Sequence, residues 1–432
     1  MQKFVYKLPQ KSEKKNFIFN MLGSLTNAAV SLALMVVVSH ICGGTVAGVF
    51  SLAYSTAQMM YTICVFEMRN IQVTDAKREF SFGGIAMFRI TTIAAMWLFF
   101  IVFTAIKDFD KETVTVMSII TVYMAAAAFS DLFQGNLHRN GYLSLAGRSL
   151  ACQVALMAIV FTITLAISRK LIVAVITMPI VILVWVLLHD LPLNNNFNAL
   201  KPEFKFKSQA KMFLCAAPLF LSSFMHQFIF NSPKYAIAEV FSTQEEQMKL
   251  LQAHYGYLVM PVFAINLLSI FVFRPQLITL SKDWAEKKIP AFVKTMTKLY
   301  VWVVIVTIMA LVAGYFLGIP VLETLYKAEL SDKRNVFMVL LLSGGFSAAS
   351  TLTLTLFTTM RKQYFCLIAY AITILFSFFA PSVFVAKGGL MGAALSYLCE
   401  MVMLFAVMAI TLVIIMIISV LKMKKGGEST NA

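Results

Sequence analysis

DLPLNNNFNALKPEFKFKSQAK, residues 190–211, is the longest polar and basic interruption in a 432-residue chain that is otherwise mostly apolar. Six apolar runs of about 20 residues precede it and six follow, each long enough for a hydrocarbon core about 30 Å thick. Inside lipid every backbone N–H and C=O must be satisfied within the segment or within a closed barrel, so runs of this length read as membrane-spanning helices. The stretch therefore reads as a cytoplasmic linker (190–211) between an N-terminal six-helix bundle (1–189) and a C-terminal six-helix bundle (212–432) that ends in a basic tail.

Composition agrees: 60% of the residues are hydrophobic and 13% charged, whereas soluble globular chains are about half apolar. The spacing predicts helices over about 17–40, 46–66, 84–106, 114–134, 146–167 and 171–189, then 212–241, 253–273, 296–317, 336–359, 363–385 and 390–420. The basic start, MQKFVYKLPQKSEKKN (1–16), carries no small-residue cleavage site before the first run, which predicts a retained first helix.

A net charge of +16 could suit nucleic acid, but the basic residues sit in short loops and tails. Among them are KSEKK (11–15), AKRE (76–79), KPEFKFK (201–207), KDWAEKK (282–288), RK (361–362) and KMKK (422–425). An even number of spans puts both termini on one side. With both termini cytoplasmic, most Lys and Arg fall inside, as the positive-inside rule requires. Their expected partners are anionic lipid headgroups, not nucleic acid. Arg169 and Lys170, together in one tight outer turn, run against the rule. The six cysteines stand alone, with no CxxC and no Cys/His cluster, so neither a disulfide framework nor a metal site is expected. No Walker A pattern, dinucleotide fingerprint or H-E-x-x-H occurs, which leaves ATP hydrolysis, cofactor chemistry and zinc peptidase chemistry unsupported and predicts a non-enzyme with no cofactor.

Ionisable residues inside membrane spans are costly and mark candidate sites. Arg89 and Arg148 lie about one turn inside helices 3 and 5, Asp131 near the end of helix 4, and Glu67 and Arg69 in FEMRNIQVTD (66–75), which closes helix 2. These groups suit either a cytoplasmic ion-pair cluster that fixes helix ends, or cavity groups. Helix 7 carries MHQFIFNSPKYAI (225–237), in which His226, Gln227 and Asn231 recur near one face. If that helix runs on to about residue 241, Lys234 falls within the membrane and the strip Gln227, Asn231 and Lys234 can hold an anion. If the helix stops at Asn231, Lys234 is an interfacial anchor. Glu400, in SYLCEMVMLF (396–405), reads as an ion-coupling carboxylate or a protonated interhelical contact, and His226 as a proton relay or a helix contact.

Helix count, central basic linker, FEMRNIQVTD (66–75), NSPKYAI (231–237) and YGYLVMPVFAINLLSIFVFRPQL (255–277) together resemble the Wzx-type polysaccharide transport family of the MOP exporter superfamily. The resemblance implies two six-helix bundles around a central cavity, of the MATE/MOP kind, working by alternating access. It implies a flippase that moves an undecaprenyl-pyrophosphate-linked oligosaccharide from the inner to the outer leaflet of the bacterial cytoplasmic membrane, for capsule, O-antigen or exopolysaccharide synthesis. Other polysaccharide assembly proteins are further implied partners. It implies a cationic cavity that holds the pyrophosphate and sugars, with Lys234 in it; Asn231, Gln227, Arg89, Arg148 and Arg69 are the other candidate substrate-binding groups, and Asp131, Glu67, Glu400 and His226 the candidates for ion coupling or gating. A cation-coupled MATE drug antiporter, a lipid II flippase and a membrane glycosyltransferase or polymerase are the competing readings. The first should show cavity carboxylates and the last acidic residues in a sizeable outer loop.

Overall fold

The computed structural model describes residues 8, 12–75, 78–107, 109–197, 200–360, 362 and 364–428; the start at 1–7 and the end at 429–432 lie outside them. So do parts of the basic segments at 11–15, 76–79 and 361–362. The described residues are helical and turn, without a strand. The chain forms two compact units. The first holds Met1–Gln227 with Gln244–Ala253, and the second Phe228–Thr243 with His254–Ala432.

The first unit begins with α1 (Glu13–Cys42), whose N-terminus is capped by the Ser12 hydroxyl accepting from Lys15 N–H. Gly43, at φ 85, turns the chain into α2 (Gly44–Val65), a conformation that needs no Cβ. A short α3 (Met68–Thr74) follows, then α4 (Phe82–Lys107), α5 (Lys111–Arg139) and α6 (Leu143–Ser168). Asp110 caps α5 by accepting from Thr113 N–H at 2.9 Å. Arg169 closes α6 in the left-handed region, at φ 51, and its carbonyl accepts from the Cys42 thiol. That makes it the cap residue of α6. Then α7 (Leu171–Trp185) runs into a wider π-helical turn, Val186–Asp190, and a last turn, α8 (Leu191–Asn194). Finally, α9 (Phe206–Val240) and α10 (Glu245–Ala285) give their first stretches to this unit and continue in the second.

Burial grades across the unit. Helices α2 and α5 are covered along most of their length, while α6 and α7 show rows of Ile, Leu and Val outward, including Ile159, Ile163, Ile167 and Leu187. A reversal of the soluble pattern on the outer helices is what lipid as solvent permits. Helix α1 packs along α6, and α2 along α5. At the first of these contacts Gly23 faces Gly147: a Cβ on Gly147 would stand 2.3 Å from the Phe19 carbonyl oxygen. Small residues let the backbones approach and dispersion replace the missing hydrophobic drive.

The second unit adds α11 (Ile289–Ala313), α12 (Ile319–Tyr326), α13 (Arg334–Thr359) and α14 (Tyr364–Glu428) to the rest of α9 and α10. Its most enclosed helix is α13, which packs against α11 and α14. α14 is two helices in sequence, separated at Gly389 by a non-helical backbone of φ 52 and ψ −126. Ten described helical stretches are long and apolar enough to cross a membrane, one of them the 55-residue Tyr364–Ile418 that contains this break. The chain is a multi-pass, all-α membrane protein. The expected spans fall on the described helices to within a residue at their ends, that at 253–273 inside α10, while 363, the expected start of the eleventh, lies outside the described residues.

The segment between α3 and α4 is clamped. Asp75 accepts from Glu79 N–H and Phe80 N–H, both at 2.9 Å, and pairs with Arg139 at 2.9 Å, while Arg139 also donates to the Phe80 carbonyl at 3.0 Å. Burial alone would raise the Asp75 carboxyl, but the two backbone donors and the guanidinium hold it below the usual carboxylate value. A depressed carboxyl contributes stability that is present above its unfolded value, about 4, and lost as pH falls through the folded one. Asp75→Asn is therefore expected to lose about 1–3 kcal/mol at neutral pH. Thermal unfolding in detergent at stepped pH should show wild type and variant converging at strongly acid pH; a constant gap would contradict the clamp.

Candidate functional site

Three of the sequence candidates meet at the end of α2. The helix stops at Val65 because Phe66 and Glu67 both take left-handed backbone angles, φ 47 and 52. Stopping a helix leaves its last carbonyls without intrahelical donors. Here Arg89 Nη1 and Thr92 Oγ1, both from α4, donate to the Cys64 carbonyl at 2.6 and 2.8 Å. The negative end of the helix dipole favours the guanidinium at this place. Arg89 Nη2 then donates to Asp131 Oδ2 at 3.0 Å, and Arg69 Nη1, from α3, to Asp131 Oδ1 at 2.8 Å.

Asp131 is bridged by two guanidiniums, so the trio has one net positive charge. The two arginines differ in access: the Arg89 side chain is 2% exposed and that of Arg69 30%. A guanidinium owns five N–H donors, and Arg69 gives one to Asp131 on its accessible side chain. The arrangement can receive an anion at Arg69 while Arg89 stays fixed.

Glu67 lies apart from this trio. Its oxygens accept from Ser223 of α9 at 2.7 Å and Asn70 at 2.8 Å, which ties the helix break to α9 within the first unit. Phe66 stacks on Phe220 of the same helix at 4.0 Å between ring centroids. Arg148 is also separate, exposed on α6 with its guanidinium over the Phe19 ring at 5.2 Å. Helix α5 continues past the expected end to Arg139, so Asp131, Gln134 and Asn136 are interior helical positions.

Along α9, His226 and Gln227 are half-buried, while Asn231, Ser232 and Lys234 are buried. The helix runs to Val240, so Lys234 is an interior residue of it and no terminal anchor. Ser232 Oγ lies 2.6 Å from Glu400 Oε1, which joins α9 to α14 within the second unit. Asn266 of α10 is satisfied by α13, donating to Ser347 at 2.9 Å and accepting from Thr351 at 3.3 Å.

A second polar centre lies at the start of the stretch expected as the linker, 190–211. Asp190 is fully buried. It accepts from Ser149 at 2.6 Å and from Ser130, with His189 Nδ1 at 2.9 Å. Ser149 accepts in turn from Trp185 Nε1 at 2.9 Å, and Gln134 Nε2 donates to Ser130 at 3.0 Å. The π-helical turn inserts one extra residue per turn here and brings Asp190 onto the inner face. A polar residue at the end of an apolar run gave no sign of this; the two serines at 130 and 149 inside spans were the available signal.

Asp110, Glu112 and Glu245 place carboxylate oxygens within 4.8 Å of one another. Lys249 Nζ sits on two of them, at 2.8 Å from Glu112 and 2.6 Å from Glu245, so an ammonium already supplies the cation.

No protein-family model and no curated relative matches the chain. Solved structures share its fold. A multidrug resistance MATE family transporter of the MOP superfamily in an inward-facing conformation aligns with a TM-score of 0.64 at 11% identity, over 93% of this chain and 98% of the other. The lipid II flippase MurJ, inward closed, aligns at 0.64 and 14% identity, over 92% and 87%. A MOP superfamily transporter from Pyrococcus furiosus, described by a reversed polarity of its binding pocket, aligns at 0.51 and 12% identity, over 92% and 94%. The fold is that of MOP superfamily transporters.

Removing one partner from a buried ionic network leaves an uncompensated charge and costs about 3–5 kcal/mol. Asp131→Ala is therefore expected to destabilise the protein by that order, and Arg89→Leu in the same chain to restore part of the loss. Unfolding measured across this double-mutant cycle checks it, additive losses being the contrary result.

Proposed function

We propose that this protein is a carrier that flips an undecaprenyl-pyrophosphate-linked oligosaccharide from the inner to the outer leaflet of a bacterial cytoplasmic membrane by alternating access, with both termini inside. The observation that carries the reading is the pair of guanidiniums on the one Asp131 carboxylate, which leaves that cluster with one net positive charge. A cationic drug would be repelled by such a site, which argues against the multidrug antiporter. An anionic head group is attracted to it, and the polyprenyl tail can stay in lipid while only the head group enters. A pyrophosphate does not cross about 30 Å of hydrocarbon unaided, and fixed Arg, Lys and amide groups lower that barrier.

The shared fold of a lipid II flippase supports the same class of movement. Lipid II itself is a variant of the reading that differs in the sugars carried. Nothing in the proposed cycle makes or breaks a covalent bond, in keeping with the absence of a catalytic motif from the sequence. In the first unit Arg69 is the proposed contact to pyrophosphate, Gln227 to sugar hydroxyls and the Glu67 link to Ser223 a gating contact; in the second unit Lys234 and Asn231 are proposed as head-group contacts in their own right.

Lipid analysis of a deletion strain tests this. Complete undecaprenyl-linked oligosaccharide is expected to build up on the inner leaflet while surface polymer is lost, and its mass identifies the glycan. Unchanged lipid intermediates with new sensitivity to cationic drugs would overturn the reading. In the complemented strain, Lys234→Ala is expected to impair export with membrane insertion intact, and Lys234→Arg to impair it less because the charge is kept. Wild-type export by a well-expressed Lys234→Ala variant would remove Lys234 from the site.

A further inference from the structure

The outward rows of α6 and α7 are aliphatic, whereas one seam of the first unit is aromatic. It starts at Phe66, where α2 stops, and its rings touch in one unbroken series. Between ring centroids, Phe66 lies 5.3 Å from Phe213 and 4.0 Å from Phe220, and Phe220 lies 5.8 Å from Phe224. Phe224 then lies 5.5 Å from Phe99, and Phe99 5.9 Å from Phe103. The sequence sets the stripe: on α9 the rings recur at spacings of seven and four, and on α4 at four, so each helix offers one face. Arg89 marks the level of the α2 end on α4, through its bond to the Cys64 carbonyl. From there to Phe103 is fourteen residues, about 21 Å of helix. That is most of the depth of a hydrocarbon core about 30 Å thick.

Phe66 and Phe103 are buried, but Phe220, Phe224 and Phe99 are half-buried and Phe213 is 50% exposed, so the series is a floor on which a chain can lie. Its Phe66 end is polar. Arg69 follows three residues on with its accessible guanidinium, and Glu67 accepts from Ser223, which sits between Phe220 and Phe224 on α9. The seam thus fits an amphiphile with an anionic head and a long apolar tail. Ring faces carry partial negative charge and favour C–H groups laid against them. An acyl chain loses freedom at every rotatable bond when it is ordered on such a floor. An isoprenoid chain, with a rigid double bond and a methyl branch in each unit, has less to lose and presents its methyl groups to the rings.

We propose that this seam binds the isoprenoid tail of the cargo, with the phosphate end at Arg69 and the chain along Phe66, Phe220, Phe224 and Phe99. The tail is then held beside its head group instead of lying loose in bulk lipid, and a polyprenyl carrier is selected over the phospholipids around it. The role in transport rests on the flippase reading above, whereas the preference for isoprenoid over acyl chains is a property of the seam alone.

Photo-cross-linking of the full-length protein, in nanodiscs of phosphatidylethanolamine and phosphatidylglycerol, tests this. A benzophenone amino acid replaces Phe224 or, as a control, Ile163 in the aliphatic row of α6. Two radiolabelled probes are compared, undecaprenyl phosphate and phosphatidylglycerol. Light is expected to attach undecaprenyl phosphate several-fold more at position 224 than at 163, and phosphatidylglycerol equally at both. Equal attachment of undecaprenyl phosphate at the two positions, or a matching excess of phosphatidylglycerol at 224, overturns the proposal and makes the seam ordinary lipid-facing surface. Arg69→Ala should lower the excess at 224, and an unchanged excess would overturn the placement of the phosphate. In cells, Phe220→Leu with Phe224→Leu keeps the seam apolar and removes two rings, so polymer export should fall several-fold at wild-type expression. Wild-type export by that variant would overturn the role of the seam in transport. A deletion strain with no export defect would instead sink the flippase reading and leave the cross-linking result standing.

Discussion

The carbonyl of Cys64 is the point on which the first unit turns. Helix α2 ends one residue later, in a place where water does not arrive to satisfy its last turn. Arg89 and Thr92 reach across from α4 to do so. That contact fixes the Arg89 guanidinium, the guanidinium fixes Asp131 on α5, and Asp131 holds Arg69 on α3. Four helices are thereby tied through one chain of charge-assisted bonds, which are about twice as strong as neutral ones. Two non-glycine residues in left-handed geometry cost about 1–3 kcal/mol each, and the bonds they make possible offset that cost. The break and the ion cluster are one feature: straighten α2 and Arg89 loses its acceptor.

The same constraint, that lipid supplies no hydrogen bonds, is met differently elsewhere. At Asp190 the carboxylate is closed by hydroxyls and an imidazole instead of guanidiniums. On α13 the hydroxyls turn back on their own helix: Ser343, Ser350, Thr353 and Thr355 each donate to the carbonyl four residues earlier. Such bonds make Ser and Thr nearly apolar toward their neighbours and let α13 pack at the centre of its unit. The interior of α13 is thus closed without charged groups, in contrast to the guanidiniums of Arg69 on α3 and Arg89 on α4.

The spans were legible in the sequence because their signal is length and apolarity, summed over some twenty residues each. The candidate residues 67, 69, 89 and 131 were legible as a group, since an ionisable residue in a span is conspicuous by its cost. What the sequence withheld is who pairs with whom. Glu67 and Arg69 are two residues apart, yet the left-handed backbone at 66–67 sends one toward α9 and the other toward α5. Arg148 has the same composition context as Arg89 and ends on a phenylalanine ring at the surface. Asp190 was hidden for a different reason. A π-helical turn shifts the helical register by one residue, and hydropathy, which averages over a window, is blind to a shift of one. The Ser232–Glu400 contact spans 168 positions and needed the packed structure.

An anionic cargo would use the two arginines unequally. Arg89 gives Nη1 to the Cys64 carbonyl and Nη2 to Asp131 and is closed to its surroundings, whereas Arg69 is the accessible member and donates to the carboxylate. In the proposed cycle a pyrophosphate that draws Arg69 away would leave Asp131 and Arg89 as a neutral pair. Removing the cargo returns Arg69 to Asp131, with one net positive charge facing the accessible side. In the proposed cycle the carboxylate would serve release as well as structure, competing with phosphate for the same guanidinium. A site of unopposed arginines would bind the head group more tightly and let it go more slowly, which is the wrong property for a carrier.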